Sequence, residues 1–156
     1  MSAVERIVLT VPAPGAWLTG NAATNRHWRH RATLVKTWRE TAAWRARQAR
    51  LDPIPSPFAV TATIHKRDRR LFDLDGVVPT IKACVDGLRD AGVIEADDFR
   101  HMVRLVVVAG EPDRELPRLV LRVEEVGEQG RRDIEAEAEL VRIFNAEVAH
   151  TPEELP

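Results

Sequence analysis

Two pairs of aspartates and a lysine stand close together in the middle of this chain. Residues 66–104 read KRDRRLFDLDGVVPTIKACVDGLRDAGVIEADDFRHMVR, with Asp73 and Asp75 two apart, Lys82 after them, and Asp97 and Asp98 beyond. Aspartates at i and i+2 of an extended segment project to one side, because strand side chains alternate faces. If the second pair folds back beside the first, three or four carboxylates share one spot. Crowded like charges resist ionising unless a cation joins them. The hard cation that takes one or two carboxylates plus phosphate oxygens is Mg²⁺. These residue types therefore point to a metal-dependent phosphodiesterase centre, with Asp73, Asp75 and Asp98 as metal ligands and Asp97 as the next candidate.

Phosphodiester cleavage needs a water placed in line and charge stabilisation on the attacked phosphate and the leaving oxygen, and carboxylate-held Mg²⁺ supplies both. A helix begun near Val78 puts Lys82 about one turn in, where it could donate to a phosphate oxygen or orient the water. Lys66, Arg67, Arg69 and Arg70 would hold the flanking phosphates. Taken alone, an Asp-x-Asp also suits a helix N-cap followed by a turn, and the basic run suits a solvated turn.

The elements that must position these residues follow from periodicity and punctuation. Residues 5–11 alternate and are rich in β-branched side chains, which predicts a strand ended by Pro12 and Pro14. Residues 15–30 form a long loop that gathers Asn25, Arg26, His27, Trp28 and Arg29, a surface suited to nucleic-acid backbone and bases. Trp17 and Trp28, taken singly, are better suited to anchoring that loop on the core, since large aromatics are mostly core residues. Residues 31–51 predict a helix with Leu34, Val35, Trp38, Ala42, Ala46 and Ala49 on its apolar face and Arg31, Lys36, Arg39, Arg45, Arg47 and Arg50 elsewhere. Residues 58–66 alternate as a strand and feed into the first acidic pair. Pro79 opens a helix carrying Ile81, Cys84, Val85 and Leu88, and Gly92 closes it. Residues 102–108 and 118–123 predict two strands joined through a Gly-Glu-Pro-Asp turn as an antiparallel hairpin. After a hinge at Gly127 and Gly130, residues 132–149 predict a helix with Ile134, Leu140, Val141, Phe144 and Val148 on one stripe.

Length and charge set the class. A chain of 156 residues fits one domain with a real core. The single cysteine, Cys84, rules out an internal disulfide and a Cys-x-x-Cys zinc site, and its place in a helical apolar pattern predicts a small buried residue. No apolar run is long enough to span a bilayer and no secretory leader is legible, so the expectation is a cytoplasmic protein. The net charge of −1 hides a strong asymmetry. Residues 1–70 carry 13 Lys and Arg against 4 Asp and Glu, while residues 124–156 carry 3 against 10. Such a division suits a polyanion-binding body with an acidic appendage.

Taken together, RDRRLFDLD, then PTIKACVDGLRDAG, then ADD resemble the core of the RusA family of Holliday junction resolvases, and NRHW is similar to that family's Asn-and-basic loop. The resemblance covers about residues 5–125. It implies a Mg²⁺-dependent endodeoxyribonuclease, with Mn²⁺ able to substitute, that acts on four-way junctions or other branched DNA in recombination and repair. It also implies a homodimer with one active site per subunit and paired cuts. Matched residue by residue, Asp73 and Asp75 take the family's Asp-x-Asp, Asp98 its third catalytic aspartate and Lys82 its helix lysine. Two departures are visible: three extra residues, 77–79, before the lysine, and Gly76 where Asn commonly follows. An extended lead-in before Pro79 is expected to absorb the insertion.

The expected fold is α+β: a small single domain with a mixed or antiparallel sheet of about four strands, two core helices and an extra C-terminal helix. Residues 1–126 would be the nuclease domain and 127–156 an acidic helical extension. The alternative is a non-catalytic branched-DNA-binding module with the same fold. A nucleotide-sugar enzyme using Asp-x-Asp is set aside because the chain is too short for that fold.

Overall fold

The computed structural model describes residues 5–19 and 28–149. It is α+β, with the order β1 (Arg6–Pro12), α1 (Trp28–Gln48), β2 (Phe58–His65), a 3₁₀ turn (Asp75–Val77), α2 (Val78–Asp90), β3 (Met102–Ala109), β4 (Arg118–Glu125) and α3 (Glu128–Ala149). The four strands form one mixed sheet in the order β1-β4-β2-β3. The chain divides into two units, Met1–Glu125 and Val126–Pro156. Among the described residues, no helix is long and apolar enough to cross a membrane.

Alternation in the sequence becomes alternation of burial. Phe58, Val60, Ala62 and Ile64 of β2 are buried, and so are Ile7, Leu9 and Val11 of β1 and Leu119, Leu121 and Val123 of β4. The register sets them in rows: Ile64 and Val11 both face Leu119, and Val60 faces Val123. Trp38, Ala42 and Ala46 of α1 and Ile81, Cys84, Val85 and Leu88 of α2 join the same cluster. Ala49, expected on that face, is exposed because α1 ends at Gln48 and Arg50 turns the chain at φ 50°. At the other end α1 begins at Trp28, earlier than the predicted start at residue 31. Gly87 lets α1 and α2 approach: a Cβ there would run into the Arg39 carbonyl oxygen and sit 2.8 Å from Ala42 Cβ. Gly92, at φ 76°, follows the C-cap Ala91 of α2 as expected of a closing glycine.

β3 and β4 do not form a hairpin. β3 runs parallel to β2 with α2 as the crossover between them, and β4 inserts antiparallel between β1 and β2. The connection explains why. Gly110 N–H donates to the Ile64 carbonyl (2.9 Å) and Asp113 N–H to that of Lys66 (2.8 Å), which ties the linker to the end of β2. His65 Nδ1 lies 2.8 Å from the Glu111 carbonyl oxygen. The Asp113 carboxylate then accepts from Glu115 N–H and Leu116 N–H and pairs with Arg118 at the start of β4. The Gly-Glu-Pro-Asp segment is thus a strap over β2 rather than a hairpin turn.

In the second unit α3 starts at Glu128, so Gly130 lies inside the helix and only Gly127 precedes it. Leu140, Val141, Phe144 and Val148 of this helix are exposed large apolar side chains.

Candidate functional site

The first acidic pair lies on a turn, not on a strand. β2 stops at His65, Leu74 takes helical angles (φ −64°, ψ −37°), and Asp75 opens the 3₁₀ turn that runs into α2. Gly76 N–H donates to the Asp73 carbonyl (3.1 Å) and Val77 N–H to that of Leu74 (3.4 Å). The common-side argument for a strand therefore does not apply, and the lead-in to α2 is not extended. The added residues are taken up as helical turn, which keeps Lys82 about one turn into α2. Asp73 and Asp75 are both exposed, and among the described residues neither carboxylate has a hydrogen-bond or ion-pair partner. Neither caps the helix: Leu74 and Val77 occupy the two cap positions, without side-chain bonds.

Aromatic contacts hold this turn. The Lys66 ammonium sits 4.1 Å from the Phe72 ring centroid and 6.0 Å from that of Trp17, close enough for cation–π attraction. Trp17 packs on Trp38 at 4.9 Å, and Trp38 Nε1 donates to the Ala16 carbonyl (2.9 Å). Buried Thr80 both accepts from Leu18 N–H and donates to the Leu18 carbonyl, at 2.9 Å each. Lys66 thus joins the end of β2, the segment before α1 and the residue preceding Asp73. Burial lowers its pKa, with Asp68 opposing.

Lys82 meets one member of the second acidic pair, Asp97. Lys82 Nζ donates to Asp86 Oδ1 and Asp97 Oδ2 at 2.5 Å each. Arg89 approaches the same two carboxylates, at 3.7 Å from Asp86 and 3.4 Å from Asp97. Burial works against charge on Lys82, but hydrogen bonds and attraction from Asp86 and Asp97 outweigh it and raise its pKa. The Lys82 hydrogen bond in turn holds Asp97 below the usual carboxylate range.

Asp98 points elsewhere. Its carboxylate accepts from Arg100 N–H (2.9 Å), pairs with the Arg100 guanidinium (3.0 Å) and lies 2.9 Å from His101 Nδ1. Its own carbonyl accepts from His101 and Met102 N–H, so Asp98 also shapes the turn into β3. The Arg100 side chain, then His101 and the Arg100 backbone, hold its pKa well below the usual carboxylate range.

Of the basic run, Arg67, Arg69 and Arg70 are exposed; Arg70 pairs with Asp68 at 3.5 Å. Asn25, Arg26 and His27 lie outside the described residues, whereas Trp28 and Arg29 form the exposed first turn of α1, with the guanidinium 5.3 Å over the indole. Much of the basic face of α1 serves the fold. Arg39 grips Asp90 with two hydrogen bonds, Arg47 donates to the Asp90 carbonyl (2.7 Å), Arg45 to that of Thr10 (3.4 Å) and Arg31 to that of Thr19 (2.9 Å). An open groove of about 570 Å³ runs along α1 past Trp28, Arg31, Val35, Lys36, Arg39 and Asp90. None of the aspartates of the two acidic pairs, nor Lys82, lines it.

The fit to a divalent ion can be judged from these contacts. Among the described residues, no three His, Cys, Asp or Glu side chains lie together where they could hold a metal ion by themselves. Asp97 is committed to Lys82 and Arg89, and Asp98 to Arg100 and His101. As arranged here the carboxylates do not form a cage for Mg²⁺. Asp86, Arg89, Arg100 and His101 went unread in the sequence. Asp86 and Arg89 stand four and seven residues beyond Lys82 on one helix, a spacing that places them on its face. Cys84 is fully buried, with burial pushing its thiol pKa up.

No family model matches the chain, and no curated protein matches it either.

Proposed function

We propose that the protein is a Mg²⁺-dependent endonuclease of the RusA type that cuts four-way or other branched DNA as a cytoplasmic homodimer. The observation that carries this reading is the state of the aspartates along residues 66–104. Asp68, Asp86, Asp90, Asp97 and Asp98 each have a cationic partner, and Asp73 and Asp75 alone stand exposed without one among the described residues. Two bare carboxylates at the head of a helix, a few residues after the exposed Arg67 and Arg69, favour a cation guest next to a polyanion. Mg²⁺ on Asp73, Asp75 and Asp98 would supply charge stabilisation at the scissile phosphate, and Asp98 would have to leave Arg100 and His101 to reach it. The chain's own part is to bind. Lys82 donates to a phosphate oxygen, Arg67, Arg69 and Arg70 hold the flanking phosphates, and Trp28 with Arg29 offers a ring and a cation to an unpaired base and its backbone.

A second reading has its own support. Because Asp97 and Asp98 are neutralised by side chains of the protein, the same surface suits a module that binds branched DNA without cutting it. A labelled synthetic four-way junction, incubated with the full chain in Mg²⁺ or in EDTA, separates the two. Mg²⁺-dependent nicking is expected. A retarded but intact junction would establish the binding module instead.

A further inference from the structure

Lys82 is set apart from the other cations of the domain by how it is held. Arg39 spends its guanidinium on Asp90 across the α1–α2 contact, and Lys36 meets a single carboxylate, Glu40, at 3.8 Å. Lys82 meets two carboxylates at 2.5 Å, whose side chains are only 16% and 13% exposed, while its own side chain is 53% exposed. An ammonium has three N–H donors. Two are spent here, on acids from different segments, which fixes the direction of the head group. The third is left over on an accessible cation. A flexible four-carbon stem is thereby turned into a fixed donor, at little further ordering cost when an anion arrives. Arg89, against the same two acids, balances the group: two cations and two carboxylates leave no net charge to repel a phosphate.

We propose that Asp86 is a positioning residue: together with Asp97 it holds the Lys82 ammonium so that its remaining N–H faces an anionic oxygen of the substrate. The role of that oxygen rests on the nuclease reading; the fixing of Lys82 by Asp86 does not.

The test uses the full chain, Asp86→Asn and Asp86→Glu, with two readouts. The first is cleavage and binding of the four-way junction in Mg²⁺. Loss of one anchor should lower the cleavage rate about 10- to 100-fold, the scale set by a small misplacement of a reacting group, with junction affinity unchanged and partial rescue by Asp86→Glu. The second is acetylation of the amines at limiting reagent, read by mass spectrometry on the chain's three lysines, Lys36, Lys66 and Lys82. Lys82 should react more slowly than Lys36 in the wild type and gain reactivity in Asp86→Asn alone. Unchanged Lys82 labelling in Asp86→Asn overturns the proposal whatever the cleavage result. Lower cleavage with no rescue by Asp86→Glu overturns it too, as does equal cleavage by wild type and Asp86→Asn. If the wild type cuts nothing, the nuclease reading falls, and labelling alone decides whether Asp86 fixes Lys82.

Discussion

The acids of this chain differ in what surrounds them, and that difference decides their behaviour. Asp90 shows the structural use: the Arg39 hydrogen bond, opposed by burial and assisted by the charges of Arg39, Arg89 and Arg47, lowers its pKa. An acid lowered in this way stabilises the fold above the unfolded value of about 4, and the contribution is lost as pH falls through the lower folded value. Thermal unfolding of wild type and Asp90→Asn across pH 2–7 should therefore show the wild type ahead near neutrality and the gap closing below about pH 4. A gap that stays constant with pH would contradict this. Asp73, Asp75, Asp98 and Lys82 could be picked out in the sequence because their types and order are unusual. Their partners could not, with one exception: Asp86 lies one helical turn beyond Lys82. That Asp97 turns to Lys82 while Asp98 turns to Arg100 and His101 depends on the path of the chain from Glu95 to Met102, which no periodicity encodes.

At the scale of elements, local rules worked where burial is regular. β2 alternates from Phe58 to Ile64 because one face is fully buried and the other only half-buried, and α2 follows its apolar spacing from Ile81 to Leu88. They failed where distant backbone decides. That β3 pairs with β2 rather than with β4 goes with Gly110 and Asp113 bonding to the end of β2, and strands 102–108 and 118–123 carry no mark of that in their own residues. The turn before α2 departs from its sequence pattern for a related reason. Asp-Leu-Asp downstream of a strand looks extended, but the extra residues before Lys82 are accommodated at the end of a 3₁₀ turn and the start of α2. Close packing of α1 on α2 gives a prediction of its own. Gly87→Ala should cost about 1–3 kcal/mol in denaturant unfolding, as expected for overpacking against backbone that cannot yield. A neutral or stabilising result would show that the helices can separate without cost.

At the scale of the whole molecule, charge and burial divide the chain at nearly the same place. Every residue of the main core cluster falls between Ile7 and Val123, inside the unit Met1–Glu125. Residues 1–123 carry 20 Lys and Arg against 14 Asp and Glu, and the remainder is strongly acidic. A chain ending at Glu125 should thus keep its cooperative unfolding transition and bind plain duplex more tightly at low salt, since a competing polyanion has been removed. Equal duplex affinity with and without residues 126–156 would show that the acidic tail does not compete for DNA. The α+β class could be read from alternation and spacing, whereas the functional proposal rests only on the order of the acidic pairs and the lysine. The claim at the centre is that Asp73 and Asp75 serve a cation and a phosphodiester rather than the fold, and one comparison addresses it directly. Wild type and Asp75→Asn are given the same labelled four-way junction in Mg²⁺, with binding and nicking measured side by side. The variant should bind the junction as the wild type does and lose nicking by about 100-fold or more, the scale of a lost group that stabilises transition-state charge. Nicking at the wild-type rate by Asp75→Asn would contradict the account.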